Sequence, residues 1–265
     1  MLRKALRSCL AVLTVLPLTA PAAPLLLLTQ SRELVLIDHS QLAVVLRQVA
    51  VSGLNAGESF KGVDSRPLTR EYYVLTSQNR LFKLNEGSAA LQTFGTPSFQ
   101  VFGSFVGMDF SATTERLRVV SDSDHFQLNP TSGLVTGNDQ PLNPAGRYAG
   151  LAYDRAFQGA TQTTLYAIDA QSDALVRIGS VNGMPDSPST GLVTSIGALG
   201  VDVGDDVSFE ITPQGLALMA AQVGGVGRLY RINLGNGSAT AIGDLPSGIV
   251  VQGMSYAGLF GDGME

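Results

Sequence analysis

Leu34-Val35-Leu36-Ile37-Asp38 is the stretch on which the reading of this chain turns, because the chain repeats it in five versions. The others are Leu81-Phe82-Lys83-Leu84-Asn85, His125-Phe126-Gln127-Leu128-Asn129, Leu175-Val176-Arg177-Ile178-Gly179 and Leu229-Tyr230-Arg231-Ile232-Asn233. A second recurrent stretch opens on Gly or Ser: Gly62-Val63-Asp64-Ser65, Gly107-Met108-Asp109-Phe110, Gly150-Leu151-Ala152-Tyr153, Ser208-Phe209-Glu210-Ile211 and Gly253-Met254-Ser255-Tyr256. Its copies stand 45, 43, 58 and 45 residues apart. A period near 45 that holds several short apolar runs and turn residues, without helical periodicity, is the mark of a β-propeller.

The spacing predicts an all-β, five-bladed β-propeller with four antiparallel strands per blade. In the second blade the strands fall near residues 60–65, 71–76, 80–85 and 89–95, and in the third near 105–111, 117–121, 125–129 and 134–137. Asn129-Pro130-Thr131-Ser132-Gly133 fits a type I turn closed by a left-handed glycine. The fourth and fifth blades begin near Tyr148 and Val207. The first blade supplies only three strands, near 25–30, 33–38 and 42–51. Its missing inner strand is predicted at 250–257, so that the C-terminal strand pairs into the N-terminal blade and closes the ring. The surplus of the long repeat falls at 182–190, a Pro/Gly/Ser-rich stretch with the composition of an exposed loop.

Arg3, Lys4 and Arg7 precede an apolar run over residues 10–16 and the small residues Ala20-Pro21-Ala22. This pattern predicts a secretory signal peptide over 1–22, followed by a single propeller domain over 23–265 that ends in a short Gly-rich tail. Pro17, Pro21 and Pro24 interrupt the apolar run well short of the ~20 residues a spanning helix needs. Cys9 is the only cysteine and lies before the cleavage point, so the mature chain is expected to carry no thiol, disulfide or cysteine metal site. Without the leader there remain 14 Lys+Arg against 22 Asp+Glu, a net charge of −8. That balance argues against nucleic acid or an anionic membrane as partner. The expectation is a monomer in the periplasm or outside the cell.

Asp64, Asp109 and Glu210 occupy one repeat position on three inner strands, where Ala152 and Ser255 complete the ring. Carboxylates converging on the axis are what glycosidic cleavage requires, one as acid and one as base. Equivalent acids in a repeat also bond backbone N–H groups between blades, which is the structural expectation, and they could hold a cation. The absence of Trp weighs against sugar chemistry. Asp202, Asp205 and Asp206, in an oxygen-rich loop, are weaker candidates for Ca²⁺, without the twelve-residue pattern that makes such a site specific. Asp122-Ser123-Asp124 forms a smaller acidic turn.

His39 and His125 are the only histidines, too few and too unpaired in spacing for zinc. Gly253-Met254-Ser255-Tyr256-Ala257 falls short of a nucleophile elbow because it lacks the final Gly and a following helix. Arg116 and Arg118 share a strand face and are expected to pair with Asp109 or Asp122. Phe99 and Phe102, in the connection between the second and third blades, are read either as a plug on one face of the ring or as an exposed contact surface.

Several stretches resemble the domain of unknown function 4394, found in secreted bacterial proteins. They are Gly62-Val63-Asp64-Ser65-Arg66-Pro67, Gly107-Met108-Asp109-Phe110, Arg116-Leu117-Arg118-Val119-Val120-Ser121-Asp122, Leu128-Asn129-Pro130-Thr131-Ser132-Gly133, Ala160-Thr161-Gln162-Thr163-Thr164-Leu165-Tyr166-Ala167-Ile168-Asp169 and Leu199-Gly200-Val201-Asp202-Val203. The likeness runs from about residue 25 to 259, with Phe110-Ser111-Ala112 departing from the commoner Phe-Asn-Pro. It implies a propeller outside the cytoplasm and brings no reaction, so no catalytic residue is carried over. The function expected is an exported, non-catalytic propeller without cofactor that binds an envelope or extracellular protein or glycan. The alternative is a glycan hydrolase built on the three axial acids.

Overall fold

The computed structural model describes residues 24–95, 99–103 and 105–257. The leader, Cys9 and the C-terminal tail lie outside the described residues. The first blade contributes β1 (Pro24–Thr29), β2 (Glu33–Asp38) and β3 (Val45–Ala50). The second is β4 (Phe60–Ser65), β5 (Tyr72–Thr76), β6 (Leu81–Asn85) and β7 (Ala90–Thr93). The third is β8 (Val106–Ser111), β9 (Arg116–Ser121), β10 (His125–Leu128) and β11 (Val135–Asn138). The fourth is β12 (Tyr148–Tyr153), β13 (Leu165–Asp169), β14 (Ala174–Ile178) and β15 (Val193–Ala198). The fifth is β16 (Val207–Ile211), β17 (Ala217–Val223), β18 (Val226–Ile232) and β19 (Ala239–Asp244), and the last strand is β20 (Val251–Tyr256). Each blade is an antiparallel four-stranded sheet, and the five make a five-bladed β-propeller.

Closure follows the predicted route. β20 pairs antiparallel with β1, with Leu26 opposite Ser255 and Leu27 opposite Met254, and becomes the inner strand of the first blade. Ala257 N–H donates to the Pro24 carbonyl at 2.9 Å and Gln30 N–H to the Val250 carbonyl at 2.9 Å, extending the join past both strand ends.

Inner strands are covered on both faces, so β8 and β12 are buried along their whole length, whereas the outer β3 alternates between half-buried and exposed. The glycine that opens the inner-strand repeat is a packing requirement. A Cβ on Gly107 would lie 2.7 Å from Leu151 Cβ of the next blade, and one on Gly150 would lie 2.8 Å from Phe209 Cβ. The polar residue that ends the other repeat closes its turn. Asp38, Asn85, Asn129 and Asn233 each accept, through the side-chain oxygen, a backbone N–H two or three residues on. The copy in the fourth blade ends in Gly179 instead, and there the long loop begins.

The apolar core lies between blades rather than within them. Leu26, Leu34 and Phe60 pack the first blade on the second, Tyr73 and Met108 the second on the third, and Ile168 and Phe209 the fourth on the fifth.

Candidate functional site

At the axis, Asp64 on β4, Asp109 on β8 and Glu210 on β16 are all buried, and their carboxyl oxygens lie within 4.8 Å of one another. Each acid is held by the blade that follows it. Phe110 N–H donates to Asp64 Oδ2 at 2.7 Å, Tyr153 N–H to Asp109 Oδ1 at 3.1 Å, and Tyr256 N–H to Glu210 Oε2 at 3.3 Å. Asp64 also accepts Ser65 N–H at 2.6 Å and the Ser255 hydroxyl at 3.3 Å. The acids therefore act as rungs between inner strands, which cannot bond one another by a sheet ladder.

Burial raises all three above the ordinary carboxylate range. Asp64 is pushed up to about 7 against the opposing pull of its hydrogen bonds. Asp109 rises through burial and then through the negative charges of Asp64 and Glu210, and Glu210 through burial and then Asp64. Three carboxyls this close share protons rather than ionise together. The axial cavity walled by Gly62, Gly107, Gly150 and Gly253, which none of the three acids lines, offers about 20 Å³, room for about one water. Retaining and inverting glycosidases hold their carboxyl groups about 5–5.5 and 6.5–9.5 Å apart around a sugar. A cation could touch all three oxygens, yet Ca²⁺ takes six to eight.

Asp202, Asp205 and Asp206 do not converge. Asp202 is exposed, and Asp205 is paired with Arg147, whose guanidinium stacks on the Phe105 ring at 4.0 Å. Asp206 is raised by burial and then by the Asp205 charge, and it borders the axial mouth beside Lys61. The two phenylalanines part company. Phe99 is buried against Phe126, ring centroids 5.7 Å apart, between the second and third blades, while Phe102 is 75% exposed with its backbone N–H on Asp124.

A larger polar cleft, of about 350 Å³, lies between the third and fourth blades. The β9 residue Arg118 forms its floor. The expected partner, Asp109 or Asp122, is replaced by Asp139, which follows β11 and is as buried as Arg118 itself. The strand register sets Arg118 opposite Asp109, but its long side chain runs outward between the blades, where Asp139 waits. Arg118 Nε–H donates to the Tyr153 hydroxyl at 2.8 Å and Nη2–H to Ser189 Oγ at 3.2 Å. Gln127 Nε2–H donates to Ser189 Oγ at 3.1 Å and to Asp139 Oδ1 at 3.0 Å. His125 donates through Nδ1 to the Gln140 carbonyl at 2.8 Å, which leaves Nε2 as acceptor for Arg118 Nη1. Burial, and then the Arg118 charge, lower its pKa and keep the ring neutral.

Sequence reasoning missed this cluster, although the repeat carried the signal. His125 stands where the other copies have Leu34, Leu81, Leu175 and Leu229. Arg118 pairs with the axial position of its blade as Tyr73, Tyr166, Leu218 and Leu26 do in theirs. The long loop, predicted as exposed, forms two 3₁₀ turns, Val181–Gly183 and Pro188–Thr190, and lies across onto the third blade. Gln140 N–H bonds the Ser189 carbonyl at 2.9 Å, and Asn143 N–H the Gly191 carbonyl at 2.8 Å.

With this architecture in place, a family model described as "Domain of unknown function (DUF4394)" matches residues 33–255. The chain belongs to that family. Among the curated proteins none matches it. In shape it is similar to a virginiamycin B lyase from Staphylococcus aureus, with 10% identity, TM-score 0.44, and coverage of 85% of this chain and 71% of that one. It is also similar to the dihydro-heme d1 dehydrogenase NirN, with 10% identity, TM-score 0.39, and coverage of 87% and 45%. An auxiliary nutrient binding protein from Bacteroides ovatus has 10% identity, TM-score 0.44, and coverage of 73% and 55%. The chain thus spans about half the length of the last two. Likenesses this distant transfer neither ligand nor reaction. Among the described residues no helix is long and apolar enough to cross a membrane.

Proposed function

We propose that the family member described here is an exported binding module, non-catalytic, that engages an envelope or extracellular component through the ring. The observation that carries this reading is the state of its axial acids. Asp64, Asp109 and Glu210 are each buried and each taken up by a backbone N–H of the next blade. A hydrolase needs one carboxyl free to protonate a leaving group and another free to activate water or attack. The charged leader with its small-residue cleavage site supports export, and the acidic balance supports a soluble partner.

Two measurements on one preparation test the proposal. Protein recovered from the periplasm or medium is expected to have the intact mass of a chain beginning near residue 23 and no maleimide-reactive thiol. The same protein on a bead is expected to retain components of an envelope extract without releasing reducing ends from its glycans. Release that disappears in Asp109→Asn would replace the binding reading with hydrolysis.

A further inference from the structure

We propose that the cleft between the third and fourth blades is a binding site for a neutral sugar of about one ring, held through oxygens that accept hydrogen bonds from Tyr153 and Ser189. This deepens the binding-module reading and rests on it.

Two departures from the repeat meet in this one place. The third blade puts Arg118 and His125 where its sister blades put apolar or aromatic residues, and the fourth carries the only long spacing, 58 residues against 43–45. The surplus turns form the far wall, with Ser189 at the centre. Nothing in closing the ring calls for either departure, since the second and fifth blades close with neither.

Proton bookkeeping then gives the polarity of the site. The Tyr153 hydroxyl accepts from Arg118 Nε–H, and Ser189 Oγ accepts from both Arg118 Nη2–H and Gln127 Nε2–H. A hydroxyl whose lone pairs are engaged by donors still has its own proton to give. Both hydroxyls border the cleft, so both protons are left for whatever fills it. Arg118 is 96% buried and fixed at four partners, so it orients the two hydroxyls before a ligand arrives. Thr113, Thr161 and Thr163 add rotatable hydroxyls to the wall, suited to a ring of alternating donors and acceptors.

Charge selects against acids. Arg118 is the one ionised side chain among the described residues lining the cleft, and the buried Asp139 already matches it. An anion would leave water without gaining an uncompensated cation and would face the Asp139 carboxylate through the guanidinium. With no Trp in the chain to stack on a sugar face, affinity rests on hydrogen bonds and is weak.

Saturation-transfer NMR suits weak binding, with D-glucose, D-galactose and N-acetyl-D-glucosamine as neutral probes and D-glucuronate as the acidic one. Transfer from at least one neutral sugar is expected, with glucuronate silent. Ser189→Ala, on a surface turn that leaves Arg118 paired with Asp139, is expected to weaken that sugar about fivefold. Tyr153→Phe should do the same, with a melting curve confirming that each variant is folded. Silence from every neutral sugar, stronger transfer from glucuronate, or transfer unmoved by Ser189→Ala in a folded variant would each overturn the assignment. In the first case retention of envelope components on the bead would leave the binding reading intact. Release of reducing ends from the envelope glycans on the bead would instead remove the binding reading while keeping the cleft.

Discussion

The axis and the cleft both bury ionisable side chains between neighbouring blades, yet they resolve the cost in opposite ways. At the axis three acids stand together, each raised by burial and each taking a backbone N–H from the next blade. In the cleft one guanidinium meets one carboxylate, a neutral histidine and two hydroxyls, so charge is balanced at once and polar capacity is left over. A polar group consumed by the framework is structural, whereas one that balances its charge and keeps a proton facing open space is equipped to bind. Tyr153 belongs to both, its N–H on Asp109 and its hydroxyl on Arg118.

The axis should break most completely when its last strand is removed. Truncation before Val250 deletes β20, and with it Ser255 and Tyr256, which bond Asp64 and Glu210. It also leaves β1 an open edge of the first blade. Calorimetry is expected to show the cooperative unfolding transition lost. A truncated chain with an unchanged transition would mean that closure by β20 contributes little.

The cleft should be most sensitive at Arg118. Arg118→Ala strands the buried Asp139 carboxylate, a kind of change that costs about 3 kcal/mol or more. Asp64→Ala at the axis leaves Phe110 and Ser65 N–H groups unpaired, for a smaller cost on the order of 1–3 kcal/mol. Urea titrations at pH 7 should therefore rank Arg118→Ala below Asp64→Ala, with similar slopes in both. The reverse order would put the larger structural share at the axis, and an Asp64→Ala variant as stable as the parent would deny the axial acids their structural role.

The fold was legible because its information is periodic. Each copy places apolar side chains inward and four of the five end on a turn-closing oxygen, so five copies locate five third strands, and β10 begins at His125 as read. The incomplete first blade and the surplus copy at the C-terminus likewise implied β20. The cleft was harder to read for a physical reason. Arg118 was expected to meet an acid near it in sequence or register, but a side chain of that length reaches across the sheet to Asp139, twenty-one residues on. Ser189 lies seventy-one residues from Arg118, on a loop whose composition says turn and whose direction is set only by docking on the neighbouring blade. Position-by-position comparison of the repeats exposes Arg118 and His125, whereas Ser189 has no such signature.

The smallest expected effect tests the axis by pH. Folded Asp64, Asp109 and Glu210 hold protons that the unfolded chain releases near its ordinary carboxylate range, because burial raises each of them. Where the native state holds more protons than the unfolded one, stability falls as pH rises. The loss should begin near pH 4 and, for Asp64, level off above about 7. Carboxylates lowered in the fold, such as Glu71 through its Lys83 bond, work the other way and lose their contribution as pH falls below 4. Asp109 is the acid to neutralise, since it has a single backbone donor and two negative neighbours. Asp109→Asn keeps an oxygen for Tyr153 N–H and removes one charge from the group. It should leave stability at pH 4 nearly unchanged and raise it at pH 8 by about 1 kcal/mol, or ~2–4 °C in Tm. The same measurement on Ser189→Ala should show no pH dependence beyond the parent's. An Asp109→Asn variant that loses as much stability at pH 8 as at pH 4 would show the axial charges to be relieved by something other than shared protons.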